Sequence, residues 1–214
     1  MVGDIIDQSK LNQTAANALL QRFPALLATQ RLIFAVAGES GSGKTHMAAA
    51  LEFAFKQNGK NTLVLHMDDF FKLPPAQNHQ KRLQNIAHVG PQEVDLARLT
   101  AVLKAFKDKA KVLQIPQVHY YDDRIEELEV QISDIDVLII EGTYAFDLAH
   151  LDFQLFMSRT FEETRELRKT RNRGNEAADP FVEKVLAIEH QLISRKKMNA
   201  NAFIDYHFNL QINE

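Results

Sequence analysis

The stretch AVAGESGSGKTH, residues 35–46, decides the fold of this chain. It contains the pattern G-x-x-x-x-G-K-[ST], in which glycines permit tight turns and successive backbone N–H groups converge on phosphate oxygens. The apolar run RLIFAVAG (31–38) precedes it and predicts a buried strand, and KTHMAAALEFAFKQNGK (44–60) follows with a helical pattern. A strand, a glycine-rich loop and a helix are the context that this pattern requires. The sequence therefore predicts a loop that binds nucleotide phosphates.

The side chains of the loop suggest how a nucleotide would be held. Lys44 can reach the β- and γ-phosphates, and the Thr45 hydroxyl can bind magnesium. The positive end of the following helix dipole also favours phosphate. The residues assigned to the nucleotide are Gly38, Glu39, Ser40, Gly41, Ser42, Gly43, Lys44 and Thr45. ATP and Mg²⁺ are the expected cofactors.

Short apolar segments alternate with helical patterns along the rest of the chain. Further strands are predicted at 61–69, 111–123, 128–133, 136–142, 151–158 and 202–210. The pair at 111–123 and 128–133 is compatible with a hairpin. Helices are predicted at 9–30, 93–109 and 179–197, and the proline-containing segment 72–92 is expected to be irregular. This alternation indicates a three-layer α/β fold with a mainly parallel sheet.

Composition narrows the class of protein. The 214 residues are 45% apolar and 25% charged, with a net charge of −3. This balance argues against a nucleic-acid or membrane-surface partner. The absence of cysteine excludes disulfides and thiolate chemistry. The beginning of the chain lacks the features of a signal peptide, and no apolar run approaches the roughly 20 residues of a membrane span. A cytoplasmic protein is expected, and a homo-oligomer is left open.

Three acidic residues lie at or near the ends of predicted strands. Asp68 and Asp69 end the segment 61–69, and Glu141 lies near the end of 136–142. The carboxyl ends of strands in open α/β sheets border the ligand crevice. An aspartate there can accept a proton from a substrate hydroxyl, help to hold magnesium, or cap a turn. Glu141 can bind a metal, directly or through water, or form a structural ion pair.

Arginines are concentrated in TFEETRELRKTRNRG, residues 160–174. Arg168 and Arg171 are three residues apart, so both can lie on one helix face. Arg173 begins a polar stretch that could fold over the site. Arginine suits the negative charge that phosphoryl transfer spreads over the γ-phosphate. The alternative is a solvated face paired with Glu162, Glu163 and Glu166.

Four segments in this order resemble the uridine kinase and phosphoribulokinase group: GESGSGKT, MDDFFK, DVLIIEG and TFEETRELRKTRNRG. The second and fourth are also similar to nicotinamide riboside kinases. The resemblance covers roughly residues 31–210. It implies a P-loop NTPase fold with a small helical lid at about 168–182. The expected kinase domain spans 31–214, after an N-terminal amphipathic helix within residues 1–30.

The resemblance also implies a role for each matching residue. Asp68 becomes the general base, and Lys44 is also expected to be catalytic. Thr45 and Glu141 become the magnesium-side residues. The implied lid cations are Arg168, Arg171 and Arg173, the first two catalytic and the third on the nucleotide.

The acceptor side departs from the uridine kinase pattern. Val89, in VGPQEVD (89–95), stands where that family has an aspartate that binds the sugar. A valine side chain cannot accept hydrogen bonds from ribose hydroxyls. The segment PQVHYYDDR (116–124) replaces the family's base-contacting segment, and Asp122, Asp123 or Arg124 could substitute. Phe71 could stack on a flat substrate or join the core with Phe70. The residues assigned to the acceptor are Asp69, Phe71, Tyr121 and Arg124.

The expected function is ATP-dependent transfer of the γ-phosphate to a hydroxyl of a small molecule, with a nucleoside as the first candidate. Another sugar or nucleoside, such as nicotinamide riboside, is an alternative acceptor. A different class, an NTPase module acting on a macromolecular partner, is also open. A GTPase is disfavoured because the guanine-reading Asn-Lys-x-Asp is absent. A non-catalytic nucleotide binder is disfavoured because the lysine, hydroxyl and carboxylates are all present.

Overall fold

A computed structural model describes residues 10–119, 122–170 and 180–213. Its eight strands in these ranges are β1 Leu32–Gly38, β2 Thr62–His66, β3 Val112–His119, β4 Arg124–Gln131, β5 Val137–Glu141, β6 Phe153–Met157, β7 Ala202–Ile204 and β8 Leu210–Ile212. Six form one sheet in the order β2-β5-β1-β6-β7-β8. Neighbours in this sheet are parallel except β7 and β8. The mainly parallel sheet is confirmed.

Helices cover both faces of this sheet. Those in the described ranges are α1 Lys10–Arg22, α2 Ala25–Ala28, α3 Lys44–Gln57, α4 Pro75–Gln84, α5 Leu96–Lys107, α6 Arg165–Thr170 and α7 Pro180–Ile193. Every residue of β1 is buried, and its side chains alternate between two cores. Phe34 packs in the core that includes α1 and α3, and Ile33 in the core that includes α5. The three-layer α/β fold is therefore confirmed.

The N-terminal helical segment is divided in two. A single helix is predicted over 9–30, but α1 ends at Arg22 and α2 begins after Pro24. Proline has no backbone N–H to donate, so a helix does not continue through it. Leu19 of α1 is fully buried in the core that α3 and β1 share. A domain boundary at residue 30 stays a prediction.

The segment 72–92, predicted to be irregular, contains α4 and two 3₁₀ turns at 86–88 and 91–93. Two of the prolines that suggested irregular structure, Pro74 and Pro75, stand at its start, and Pro91 begins the second 3₁₀ turn. Pro75 is the first residue of α4, where a missing N–H costs no helical hydrogen bond. This prediction is wrong because proline terminates a helix only when it lies inside one.

The closing segment 202–210, predicted as one strand, is the first half of an antiparallel hairpin of β7 and β8. The chain reverses at Asp205, whose Oδ1 accepts hydrogen bonds from the backbone N–H groups of His207 and Asn209, both at 2.9 Å. Aspartate stabilises such turns by replacing a backbone acceptor. The single-strand prediction is therefore corrected.

The strands β3 and β4 form the predicted hairpin, outside the main sheet. They are antiparallel, with Val112 opposite Gln131 and His119 opposite Arg124. No helix in the described ranges is both long and apolar enough to cross a bilayer.

Candidate active site

The loop between β1 and α3 has the backbone that the glycine pattern predicts. Gly41 and Gly43 have φ values of 79° and 98°, in the left-handed region that favours glycine. A Cβ on Gly41 would also lie 2.9 Å from Cγ of Arg168. Position 41 therefore requires glycine for both its backbone conformation and its close approach to α6.

Two later parts of the chain hold this loop in place. The buried Glu39 carboxylate accepts a hydrogen bond from the Phe161 backbone N–H and contacts Nδ1 of His190 in α7, each at 2.7 Å. The Thr164 hydroxyl donates to the Ser40 carbonyl at 3.2 Å. The first half of the loop is thus tied to the segment after β6 and to α7. The pairing with His190 is not predictable from the sequence, because 151 residues separate the two side chains.

The second half of the loop has the polar groups that phosphate needs. Lys44 Nζ donates to the Glu39 carbonyl at 3.0 Å, which keeps the ammonium group at the loop. The fully buried Ser42 hydroxyl makes no hydrogen bond within the described residues. A buried donor without a partner is costly, and a phosphate oxygen would satisfy it. The loop therefore fits a nucleotide.

Glu141 and Thr45 meet at the carboxyl end of the sheet. The Thr45 hydroxyl lies 3.2 Å from Oε1 of Glu141, and His66 Nδ1 lies 2.7 Å from the same oxygen. Burial alone would raise the pKa of Glu141, but the His66 hydrogen bond and the charge of Lys44 outweigh it and lower that pKa. Glu141 is therefore held as a carboxylate. The sequence did not indicate His66, which ends the neighbouring strand β2.

The Thr45 hydroxyl and the Glu141 carboxylate are the hard oxygen donors that Mg²⁺ prefers. Across 10–119, 122–170 and 180–213, no three His, Asp or Glu side chains cluster into a metal site of their own. Magnesium in kinases is commonly held by one or two side chains together with substrate phosphates. The donor set fits a magnesium ion of that kind.

Asp68 and Asp69 lie in a 3₁₀ turn, Met67–Phe70, that directly follows β2. The prediction placed them at the end of the strand itself. In a 3₁₀ turn successive side chains diverge by about 120°. Asp69 is buried, and its Oδ1 accepts a hydrogen bond from the Val118 backbone N–H at 2.9 Å, which fixes the β3–β4 hairpin. Asp68 is half-buried and lies within electrostatic range of Glu189 in α7.

Arg168 lies beside the phosphate loop. Its Nη2 donates to the Phe161 carbonyl at 2.9 Å and to Glu183 of α7 at 3.0 Å. The predicted alternative, pairing with the nearby acids of its own segment, is not the arrangement found for this side chain. The predicted residues Arg171, Arg173 and Tyr121 lie outside the described residues, as does most of the predicted lid at 168–182.

The described acceptor-side residues are spread over several environments. Phe71 packs partly buried against the core on the α5 face, and Val89 is buried. Arg124 is exposed at the start of β4 and pairs with Asp122 and Glu126. Asp123 accepts a hydrogen bond from the Ala76 backbone N–H at 2.7 Å and so ties the hairpin to α4. The structure does not bring these side chains together with Asp69 at one point.

A buried polar cluster that the sequence did not predict lies between α4 and α7. Arg82 pairs with Glu93 through two nitrogens, and its Nη2 lies 3.5 Å from Oε1 of Glu189. Asn78 also donates to Glu93, at 2.9 Å. The Tyr144 hydroxyl is buried without a hydrogen-bond partner in the described structure. We call Arg82, Glu93, Glu189 and Tyr144 the α4–α7 cluster.

Ionisation of Glu189 should make the free energy of unfolding of the protein depend on pH. Burial raises the pKa of Glu189 from 4.5 to about 7, against the opposing charge of Arg82. Between these values the folded protein retains a proton that the unfolded chain releases, so stability falls as pH rises through this window. Glutamine cannot ionise. We therefore expect the free energy of unfolding of Glu189→Gln, relative to wild type, to increase by about 3 kcal/mol from pH 4.5 to 8.

Urea denaturation at several pH values measures this difference. Asp108→Asn, at an exposed carboxylate on α5's C-terminal end, is the matched control and should follow the wild-type pH profile. Parallel profiles for Glu189→Gln and wild type would show that Glu189 titrates normally.

The fold and the site together define a class. A phosphate loop between β1 and α3, carboxylates after β2 and at the end of β5, and an arginine of α6 against the loop are the parts of a P-loop kinase. The model of the Phosphoribulokinase / Uridine kinase family matches residues 33–208. The chain belongs to this family, as its motifs predict.

The chain is also similar to individual proteins, at sequence identities of 20–30%. The chain is 30% identical over 189 residues to the bifunctional alpha-galactosidase/sucrose kinase AgaSK of Mediterraneibacter gnavus, a match that covers 83% of this chain but 20% of the relative. It is 26% identical to the uridine kinase of Ureaplasma urealyticum over 81% of this chain and 87% of that protein. A solved structure named as a possible uridine kinase from Bacillus stearothermophilus has a TM-score of 0.67 at 20% identity, over 89% of this chain and 97% of that one. The structural likeness concerns the fold.

Proposed function

We propose that this chain is an ATP- and Mg²⁺-dependent kinase that phosphorylates a hydroxyl of a nucleoside or sugar. The observation that carries the proposal is that Asp68 follows β2 at the same carboxyl edge of the sheet at which the loop bearing Lys44 follows β1. A carboxylate in that position serves a substrate hydroxyl, whereas a hydrolytic NTPase must position a water.

The chemistry follows from the positions of the side chains. Lys44 and the loop N–H groups hold the β- and γ-phosphates. Asp68 orients the acceptor hydroxyl and accepts its proton as the oxygen bonds to the γ-phosphorus and the bond to the β-phosphate oxygen breaks. Arg168 faces the charge on the transferred group. Magnesium, when bound at Thr45 and Glu141, neutralises phosphate charge.

Two acceptor classes have separate support. A nucleoside is supported by the uridine kinase relatives, which match over most of their own length. A sugar without a base is supported by the relative whose name includes sucrose kinase, and by the buried Val89 in place of the ribose-binding aspartate.

ADP release with a panel of small hydroxyl compounds tests the proposal and separates the two acceptors. Turnover that depends on uridine identifies a nucleoside kinase, and turnover that depends on fructose, glucose or sucrose identifies a sugar kinase. ADP release at the same rate without any acceptor would instead favour an NTPase. A cytoplasmic location and a homo-oligomeric assembly stay predictions.

Thr45→Ala is expected to raise the magnesium concentration needed for half-maximal turnover by at least about tenfold, because a ligand oxygen is removed. Thr45→Ser keeps the hydroxyl and is the matched control. A magnesium titration of each variant at saturating ATP measures the effect. Identical titrations for Thr45→Ala and wild type would remove Thr45 from the metal site.

A further inference from the structure

The α4–α7 cluster contains two polar groups whose hydrogen bonding is incomplete. Glu93 is satisfied, because Arg82, Asn78 and the Gly90 backbone N–H all donate to its carboxylate. Glu189 is buried, and its contact with Arg82 is long at 3.5 Å. Tyr144 is 3% exposed, and its hydroxyl has no hydrogen-bond partner among the described residues. Buried polar groups of this kind are costly unless a further partner binds them.

The Glu189 carboxylate and the Tyr144 hydroxyl are near enough for the charge of Glu189 to act on the hydroxyl. The charges of Glu189, Glu93 and Arg82 all act on the Tyr144 hydroxyl. Tyr144 follows β5 and Glu189 belongs to α7, so the two side chains reach this region from separate elements. Their convergence is a property of the tertiary fold.

The cluster is adjacent to the phosphate-transfer site. Glu189 lies within electrostatic range of both Lys44 and Asp68. The next residue, His190, contacts Glu39 of the phosphate loop at 2.7 Å. Gly142, two residues before Tyr144, packs so closely on Met67 that a Cβ there would lie 2.3 Å from the Met67 Cβ. The 3₁₀ turn with Asp68 and the segment with Tyr144 are thus in direct contact.

We propose that Glu189 and Tyr144 bind hydroxyl groups of the phosphate acceptor, and that Arg82, fixed by Glu93, positions Glu189 for this task. The inference rests on the proposed function, because it assigns the acceptor side of the same site. A carboxylate accepts hydrogen bonds from two hydroxyls, and a phenol can donate or accept one. This combination suits a ring with neighbouring hydroxyls.

The charge of the α4–α7 cluster indicates whether the acceptor itself carries a charge. Above about pH 7, where Glu189 is ionised, two carboxylates surround one guanidinium, and below it the carboxylate of Glu93 balances Arg82. At either pH the α4–α7 cluster does not offer the excess positive charge that binds a phosphate group. An acceptor that already carries a phosphate would be repelled by Glu189 and Glu93. The chemical class that fits is therefore an uncharged polyhydroxyl compound, either a sugar or the ribose of a nucleoside.

Isothermal titration calorimetry of the full chain with saturating Mg²⁺ and a non-hydrolysable ATP analogue tests this inference. The probes are uridine, fructose, glucose and sucrose, with ribulose 5-phosphate and fructose 6-phosphate as anionic counterparts. We expect at least one neutral probe to bind wild type more tightly than the anionic probes. Tyr144→Phe and Glu189→Gln should each raise its Kd by about tenfold or more. Neither variant should change the Kd of the ATP analogue, which also serves as the test of folding.

Tyr206→Phe removes an exposed phenol hydroxyl and should bind the acceptor like wild type. Wild-type acceptor affinity in both cluster variants would overturn the inference, as would preference for a sugar phosphate or failure of every probe to bind. If a neutral probe binds through the cluster but wild type does not phosphorylate it with ATP, the proposed function fails and the binding assignment stands.

Discussion

Replacement of Lys44 by alanine should reduce phosphoryl transfer by roughly 10³-fold or more and weaken ATP binding. Lys44 is the first residue of α3, and its ammonium group is held at the phosphate loop by the Glu39 carbonyl. The substitution removes the only lysine or arginine of the stretch 35–46. The β- and γ-phosphates then lose a point charge that backbone N–H groups cannot replace.

Lys56→Ala is the matched control, because Lys56 is an exposed residue in the last turn of the same helix. It should retain wild-type kinetics. Steady-state ADP release and calorimetric titration of ATP measure transfer and binding separately. Near-native turnover in Lys44→Ala would contradict the assignment of the loop and with it the kinase proposal.

Asp68→Asn should lower turnover by roughly 10²- to 10⁴-fold, the range usual for a general base, with ATP affinity little changed. Asparagine keeps the size of the side chain and part of its hydrogen bonding, but it cannot take the proton from the acceptor hydroxyl. The transition state of phosphoryl transfer is loose, so the attacking oxygen needs little activation by a base.

Asp69→Asn is the informative comparison, because the two aspartates are adjacent in one 3₁₀ turn. The Oδ1 atom that accepts from the Val118 N–H is available in asparagine as well, so the hairpin should remain attached. We expect turnover to fall less than in Asp68→Asn. A larger loss in Asp69→Asn, with an unchanged melting temperature, would exchange the roles of the two residues.

The parts of the site that depend on local pattern are predictable from the sequence. Strand β1, the loop and α3 are consecutive in the chain, and Glu141 is a charge at the end of an otherwise apolar run. Their neighbourhood follows from the rule that parallel strands present their carboxyl ends on one edge. The contact of Thr45 with Glu141 spans 96 residues, but two motifs with known places in the fold predict it.

The site residues that the sequence did not predict have partners in distant segments, and neither segment of these pairs carries a recognisable motif for the contact. His190 reaches Glu39, and Arg82 reaches Glu189 across 107 residues. From a single sequence, such histidines and arginines are expected to be surface residues. One signal was present: Glu189 shares the buried face of α7 with Val185, Leu186 and Ile193, and an acid on an apolar stripe requires a partner.

The separation of the β3–β4 hairpin from the main sheet has an evolutionary consequence. The nucleotide loop is built on the six-stranded sheet, whereas β3 and β4 pair only with each other and lie in the connection between β2 and β5. Mutations can accumulate in these two strands without altering the register of any strand that supports the loop. A lineage with this fold can therefore vary the hairpin while its ATP chemistry stays constant, and chimaeras that exchange β3 and β4 between relatives would test how far the hairpin contributes to acceptor specificity.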